Sequence, residues 1–187
     1  MHKIAVFASG SGSNFEAIAT ACDEGRIDAE VVLMVCDKPA AKVVERAERH
    51  GVETFAFSPK DYASKADFER EIVTRLQAKG VELICLAGYM RIVGETLLSA
   101  YAGRIINIHP ALLPSFPGAH GIKDAFDYGV KVFGVTIHNV DATLDGGKII
   151  TQRGFEYYGD SIDELEAKIH TVEHILYVET INKLLNE

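Results

Sequence analysis

The sequence predicts an open, doubly wound α/β sheet that is mostly parallel and has an antiparallel portion in its C-terminal half. The first half repeats short, almost continuously apolar segments, each followed by a turn and a helical pattern. Such segments are typical of parallel strands that helices bury on both faces. Residues 132–140 instead alternate in character, which indicates a strand with two different faces. In this fold class, ligands bind beyond the carboxyl ends of the strands.

The first half is predicted to contain four strands, at residues 3–8, 30–36, 52–57 and 82–87, and three helices, at 13–24, 40–49 and 61–79. Ser13 and Glu16 have the spacing of a capping box, so the first helix is predicted to start at Ser13.

The second half is predicted to contain a strand at residues 104–109 and a helix at 120–128, followed by a hairpin-like pair of strands at 132–140 and 148–156. Asp145, Gly146 and Gly147 form the turn of that pair. Ser161 and Glu164 form another capping box, which opens a closing helix.

Composition and charge narrow the classes of function. A chain of 187 residues with 48% hydrophobic residues is typical of one domain, spanning 1–187. The net charge of -8 argues against nucleic-acid binding. No apolar run approaches the roughly 20 residues of a membrane span, and the chain starts directly in a strand, so neither a membrane nor a signal peptide is expected. Three cysteines without a CxxC pair fit a reducing cytoplasm and predict no metal site.

A glycine-rich loop, Gly10-Ser11-Gly12-Ser13-Asn14, joins the first strand to the first helix. Free N–H groups at a helix start and the helix dipole favour a phosphate there. A dinucleotide site is the alternative, with Asp37 placed to bind a ribose, but Phe15 stands where its fingerprint needs a third glycine. A tight turn without a ligand is also possible from this segment alone.

Asn107 and His109 are two residues apart on a strand, so their side chains point to the same side at its carboxyl end. Together they can donate hydrogen bonds to a developing oxyanion, and a histidine can also carry a proton. Asp145 is the best candidate partner, because a carboxylate there would favour the imidazolium. A solvated histidine and a turn aspartate remain alternatives. His120 and His138 are weaker candidates, and His138 is interpreted more as a core residue.

Four stretches, IAVFASGSGSNFEAI, LAGYMRI, INIHPALLPSFPGAH and VDATLDGGKII, occur in order across the chain. They resemble the glycinamide ribonucleotide transformylase family of folate-dependent formyltransferases. The resemblance implies a Rossmann-like formyltransferase fold and formyl transfer from 10-formyltetrahydrofolate to the amine of phosphoribosylglycinamide, in purine biosynthesis. It implies small-molecule substrates, no metal, and a monomer or homodimer.

The resemblance also implies roles for individual residues. The catalytic trio would be Asn107, His109 and Asp145. The substrate would be held by Gly12, Ser13 and Asn14 at its phosphate and by Glu173 at its sugar or glycinamide end. The folate would contact Lys65, Met90, Arg91, Ile92, Val93, Asn107, Val140, Asp141 and Asp145. Residues 1–103 would then be the phosphate-binding half, and 104–187 the catalytic and folate-binding half. A cis bond at Leu113–Pro114 is a further implication.

Three rival functions stay open at this point. A hydrolase that releases formate from the same folate could share the trio but would not need a phosphate loop. Transfer to methionyl-tRNA or to a sugar-nucleotide amine is a second rival, although a short acidic chain argues against tRNA. An NAD-binding module built on the Gly10 loop and Asp37 is a third.

Overall fold

The computed structural model describes residues 1–187 and is built around one seven-stranded sheet. The strands are β1 (His2–Phe7), β2 (Ala29–Cys36), β3 (Thr54–Ala56), β4 (Leu83–Leu86), β5 (Ile105–His109), β6 (Val132–Asn139) and β7 (Ile149–Glu156). Their order across the sheet is β3-β2-β1-β4-β5-β6-β7. Strands β1 to β5 pair in parallel, whereas β6 and β7 pair antiparallel. The predicted fold class is confirmed.

Six α-helices flank the sheet: α1 (Ser13–Asp23), α2 (Lys42–Arg49), α3 (Lys65–Lys79), α4 (Glu95–Ala100), α5 (Gly121–Tyr128) and α6 (Ile162–Leu185). The sequence prediction misses α4, which has only six residues. It also starts α3 too early, because Pro59–Asp61 forms a separate 3-10 turn and the Ser64 side chain caps α3 by accepting from the Asp67 N–H.

The two predicted capping boxes have different outcomes. Ser161 is the N-cap of α6, and its side chain accepts a hydrogen bond from the Glu164 N–H as predicted. The box at Ser13 is wrong, because the N-cap of α1 is Gly12, in a left-handed conformation with φ 76°, and no side chain caps the helix. Ser13 is the first helical residue, so the predicted start of α1 is confirmed although its predicted cap is not.

Alternate residues of β1 enter different hydrophobic clusters on the two faces of the sheet. Ile4 and Val6 pack with residues of α1, α2, α5 and α6. Ala5 and Phe7 pack with residues of α3 and α4. The strands are therefore buried on both faces, which explains their nearly continuous apolar sequence. None of the helices has the combination of length and apolar character needed to cross a membrane.

His50 follows α2 and ties it to α1 through two carboxylates. Its Nε2 lies 3.0 Å from Glu16 Oε1, and its Nδ1 lies 2.7 Å from Asp23 Oδ2. Burial alone would lower the pKa of His50, but the hydrogen bonds to Asp23 and Glu16 raise it overall. His50 therefore has a structural role, because it links α2 to α1.

The strand order brings the chemically interesting loops together. The chain leaves β1 towards β2 on one side and later returns to β4 on the other, so β1 and β4 flank the point where the winding reverses. Because β1, β4 and β5 are parallel neighbours, the loops at their carboxyl ends lie side by side. Those loops are the glycine-rich loop, residues 87–94 and the segment that follows His109.

Candidate active site

A cavity of about 490 Å³ opens at this edge of the sheet. Its lining residues are Gly10–Asn14, Leu86–Val93, Asn107–Pro110, Gly118, Ala119, His138, Val140, Asp141, Thr143–Asp145, His170 and Glu173. Every residue to which the resemblance assigns a role is among them except Lys65, and His120, a weaker candidate, is not among them either. A larger groove, of about 780 Å³, runs between α1 and α6 but shares only Ser13 with the predicted site.

Contacts from α2 hold the glycine-rich loop against the start of α1. The Val43 N–H donates to the Gly10 carbonyl at 3.1 Å, and Arg46 Nε donates to the Ser11 carbonyl at 2.7 Å. A Cβ at Gly12 would lie 2.6 Å from Val43 Cβ, so only glycine allows this approach. The first N–H groups of α1, which have no partner within the helix, thus border the cavity.

A polar cluster from α6 faces this loop. Glu173 is buried, and its Oε2 lies 2.7 Å from His170 Nδ1 and 3.4 Å from Asn14 Nδ2. The hydrogen bond that His170 Nδ1 donates to the Glu173 carboxylate raises the pKa of His170. Sequence reasoning missed His170, although its position three residues before Glu173 places both on one helix face.

The side chain of Asn107 is oriented by His138, its directly paired neighbour on β6. Asn107 Nδ2 lies 3.2 Å from His138 Nε2, while His138 Nδ1 lies 2.8 Å from the Asn139 carbonyl oxygen. A carbonyl only accepts, so Nδ1 carries the hydrogen and Nε2 accepts from the Asn107 amide. The second amide hydrogen of Asn107 is left for another acceptor. His138 is buried as expected, but it lines the cavity rather than serving only the core.

His109 is buried, at 3% exposure, and lies between a backbone carbonyl and Asp145. Its Nε2 donates to the Phe116 carbonyl at 2.8 Å, which leaves Nδ1 at 3.6 Å from Asp145 Oδ2. Asp145 also accepts from the Gly118 N–H at 2.7 Å. The structure thus brings Asn107, His109 and Asp145 to one wall of the cavity.

The Asp-Gly-Gly turn explains how Asp145 reaches this wall. Asp145 has a positive φ of 49°. A Cβ at Gly147 would overlap the Asn139 carbonyl oxygen, so glycine lets the turn fold back tightly onto the end of β6. Ahead of the turn, hydrogen bonds from Thr143 lower the pKa of Asp141.

The segment 87–94 forms the opposite wall and has no regular secondary structure. Met90 and Ile92 on this wall and Leu144 on the Asp145 loop are large apolar side chains that remain exposed at the cavity. Lys65 touches this wall from outside the cavity lining, since its Nζ donates to the Ile92 carbonyl at 2.9 Å. The Leu113–Pro114 bond, which follows β5, is cis, as the resemblance implies.

The chain matches the family described as formyl transferase over residues 2–181. It belongs to that family. It is 54% identical to a phosphoribosylglycinamide formyltransferase of Bacillus subtilis over 99% of this chain and 95% of the relative. A crystal structure of glycinamide ribonucleotide transformylase 1 from Geobacillus kaustophilus superimposes with a TM-score of 0.96, at 53% identity and 99% coverage of both chains. The resemblance drawn from the sequence is confirmed.

A trifunctional purine biosynthetic protein of Drosophila melanogaster is 38% identical, but this formyl transferase chain spans only 14% of its length. Membership of the formyl transferase family implies a folate-derived formyl donor and small-molecule substrates. The NAD-binding alternative does not fit this family, and Asp37, its proposed ribose contact, does not line the cavity.

Proposed function

We propose that this formyl transferase moves the formyl group of 10-formyltetrahydrofolate to the amine of N1-(5-phospho-D-ribosyl)glycinamide, in purine biosynthesis. The products are the N2-formyl amide and tetrahydrofolate. The observation that carries the proposal is one cavity bordered both by the glycine-rich loop and by Asn107, His109 and Asp145. The two named full-length relatives support the same activity. We treat residues 1–187 as one domain, with a phosphate-binding half (1–103) and a catalytic and folate-binding half (104–187).

The phosphate of the acceptor would bind at Gly12, Ser13 and Asn14. The chain carries a net charge of -8, so a dianion needs a local attraction, which the amino end of α1 supplies. Glu173, which lies beside Asn14, would contact the sugar or glycinamide end. This arrangement directs the free amine away from α1, towards the carboxyl end of β5.

The folate would occupy the space between residues 90–93 and the loop from Val140 to Asp145. Exposed Met90, Ile92 and Leu144 offer apolar surface for a flat ring, and the irregular backbone of both segments offers polar groups for its edge. Asp141 belongs to the same loop. Lys65 stays a predicted contact for the folate tail.

The reaction needs no covalent enzyme intermediate. The amine attacks the formyl carbon, and the carbonyl oxygen becomes the oxyanion of a tetrahedral intermediate. The free amide hydrogen of Asn107 and an Nδ1–H of protonated His109 would donate to it, because His109 Nε2 is already bonded to Phe116. Asp145, 3.6 Å from Nδ1, would compensate the imidazolium charge. The attacking amine loses one proton, and the departing folate nitrogen gains one.

The test is tetrahydrofolate release with and without the amine. Release is expected only when N1-(5-phospho-D-ribosyl)glycinamide is present, and a glycinamide ribonucleoside that lacks the phosphate should react with a strongly raised KM. Release at the full rate without the amine would instead favour the hydrolase, which the comparisons do not favour.

A further inference from the structure

The wall formed by residues 87–94 is anchored by backbone and side-chain groups from other parts of the chain. On its β4 side, Ser9 N–H donates to the Gly88 carbonyl, and Met90 N–H donates to Ser9 Oγ at 2.9 Å. On its α4 side, Gly94 N–H donates to Glu69 Oε2 at 2.8 Å. Beyond Gly88 the segment has no regular secondary structure, so its shape depends on such anchors.

Asp37, which follows β2, connects the β4-side anchors. Its Oδ1 accepts from Ser9 Oγ at 2.5 Å, and its Oδ2 accepts from Arg91 Nε at 3.0 Å. One carboxylate therefore reaches two successive residues of the wall, Arg91 directly and Met90 through Ser9.

The burial of the Asp37 carboxylate indicates that its role goes beyond stabilising the fold. The Asp37 side chain is 2% exposed, whereas its Arg91 partner is 41% exposed. A buried carboxylate is costly unless it is paired, and replacing a whole buried ion pair with apolar residues is often neutral or even stabilising. A fixed buried charge that holds a half-exposed arginine at a cavity rim instead restricts that arginine and its backbone.

We propose that Asp37 is a positioning residue, which fixes the Met90 peptide and the Arg91 side chain so that residues 89–93 present a pre-formed wall to the folate-derived donor. Asp37 does not line the cavity, so it acts only through Ser9 and Arg91. This inference rests on the proposed function, since it assigns the wall to the donor rather than to the phosphate-bearing acceptor.

The test is Asp37→Asn, which keeps the shape and the acceptor for Ser9 but removes the charge that faces Arg91 Nε. KM for 10-formyltetrahydrofolate should rise about tenfold, the loss expected for one charge-assisted hydrogen bond. KM for the acceptor and kcat should stay within about twofold. The matched control is Glu71→Gln, which breaks an exposed carboxylate–arginine pair with Arg75 within α3 and should change neither KM.

A double-mutant cycle tests whether Asp37 acts on the folate wall through Arg91. In an Arg91→Gln background, Asp37→Asn should add little to KM for the donor, because both changes remove the same pair. A full tenfold effect in that background would overturn the Arg91 route. An equal rise of both KM values, or a lower melting temperature with both KM values unchanged, would overturn the inference as a whole.

Calorimetric binding of tetrahydrofolate separates this inference from the proposed function. A tenfold weaker Kd in Asp37→Asn supports the inference independently of turnover, and an unchanged Kd overturns it. A wild-type protein that transfers formyl groups while Asp37→Asn behaves identically leaves the function intact and removes only the positioning role. A wild-type protein that neither binds tetrahydrofolate nor transfers the formyl group would remove both.

Discussion

Replacing Gly12 with alanine perturbs the phosphate-binding loop at its most constrained point. Gly12 has φ 76°, and a Cβ there would lie 2.6 Å from Val43 Cβ and 3.0 Å from Val43 Cα. Neither of these atoms can move by a change of rotamer. The loop or the start of α2 must therefore shift to admit the methyl group.

The two costs of this substitution can be estimated separately. A left-handed conformation costs an alanine about 1–2 kcal/mol, and overpacking costs roughly 1–3 kcal/mol. The free energy of unfolding should fall by roughly 2–5 kcal/mol. For a domain of this size, the melting temperature should then fall by at least about 4 °C. A displaced loop should also raise KM for the phosphate-bearing acceptor at least about tenfold, while KM for the folate donor stays unchanged.

Gly25→Ala is the matched control, because Gly25 has φ 72° but no atom within 4 Å of its Cβ position. It isolates the conformational cost from the overlap with Val43. Urea unfolding and initial rates with each substrate varied in turn provide the measurements. The explanation is wrong if Gly12→Ala loses no more stability than Gly25→Ala and binds the acceptor normally.

Three further predictions follow from the site and its surroundings. Asn107→Ala should lower kcat roughly 100- to 1,000-fold, because an oxyanion donor is lost; initial rates at saturation measure this, and an effect confined to KM would contradict it. Asp145→Asn should lower kcat by at least about tenfold, because the carboxylate charge 3.6 Å from His109 Nδ1 disappears; an unchanged kcat would refute that role. His50→Gln should destabilise the protein most below about pH 6.5, where the wild-type imidazolium forms its ion pairs with α1. Above the raised pKa of His50 the substitution should cost little, because the wild type has also lost the imidazolium and these ion pairs. Urea unfolding at acid and alkaline pH tests this, and equal losses at both would count against it.

The fold could be predicted because its main signals are local. Continuous apolar strands, such as Ile4–Ala8, indicate burial on both faces, and the alternation in residues 132–140 indicates the antiparallel strand β6. The position of Asn107 and His109 on the same side of β5 also follows from local geometry, since residues two apart on a strand share a side.

Local signals fail where a distant contact decides the conformation. The capping-box pattern at Ser13 loses to Gly12, whose positive φ and contact with Val43 set the start of α1. The links from Asp37 to Arg91 and from His138 to Asn107 join elements far apart in the chain, and nothing in their spacing indicates contact.

A single-turnover experiment with 10-formyltetrahydrofolate labelled in its formyl carbon tests direct transfer within this cavity most directly. The label should leave the folate only when the glycinamide ribonucleotide is present, and should appear in the formylated amide in a one-to-one ratio with tetrahydrofolate. Label bound covalently to the protein, or released as formate at the same rate without the amine, would contradict direct transfer.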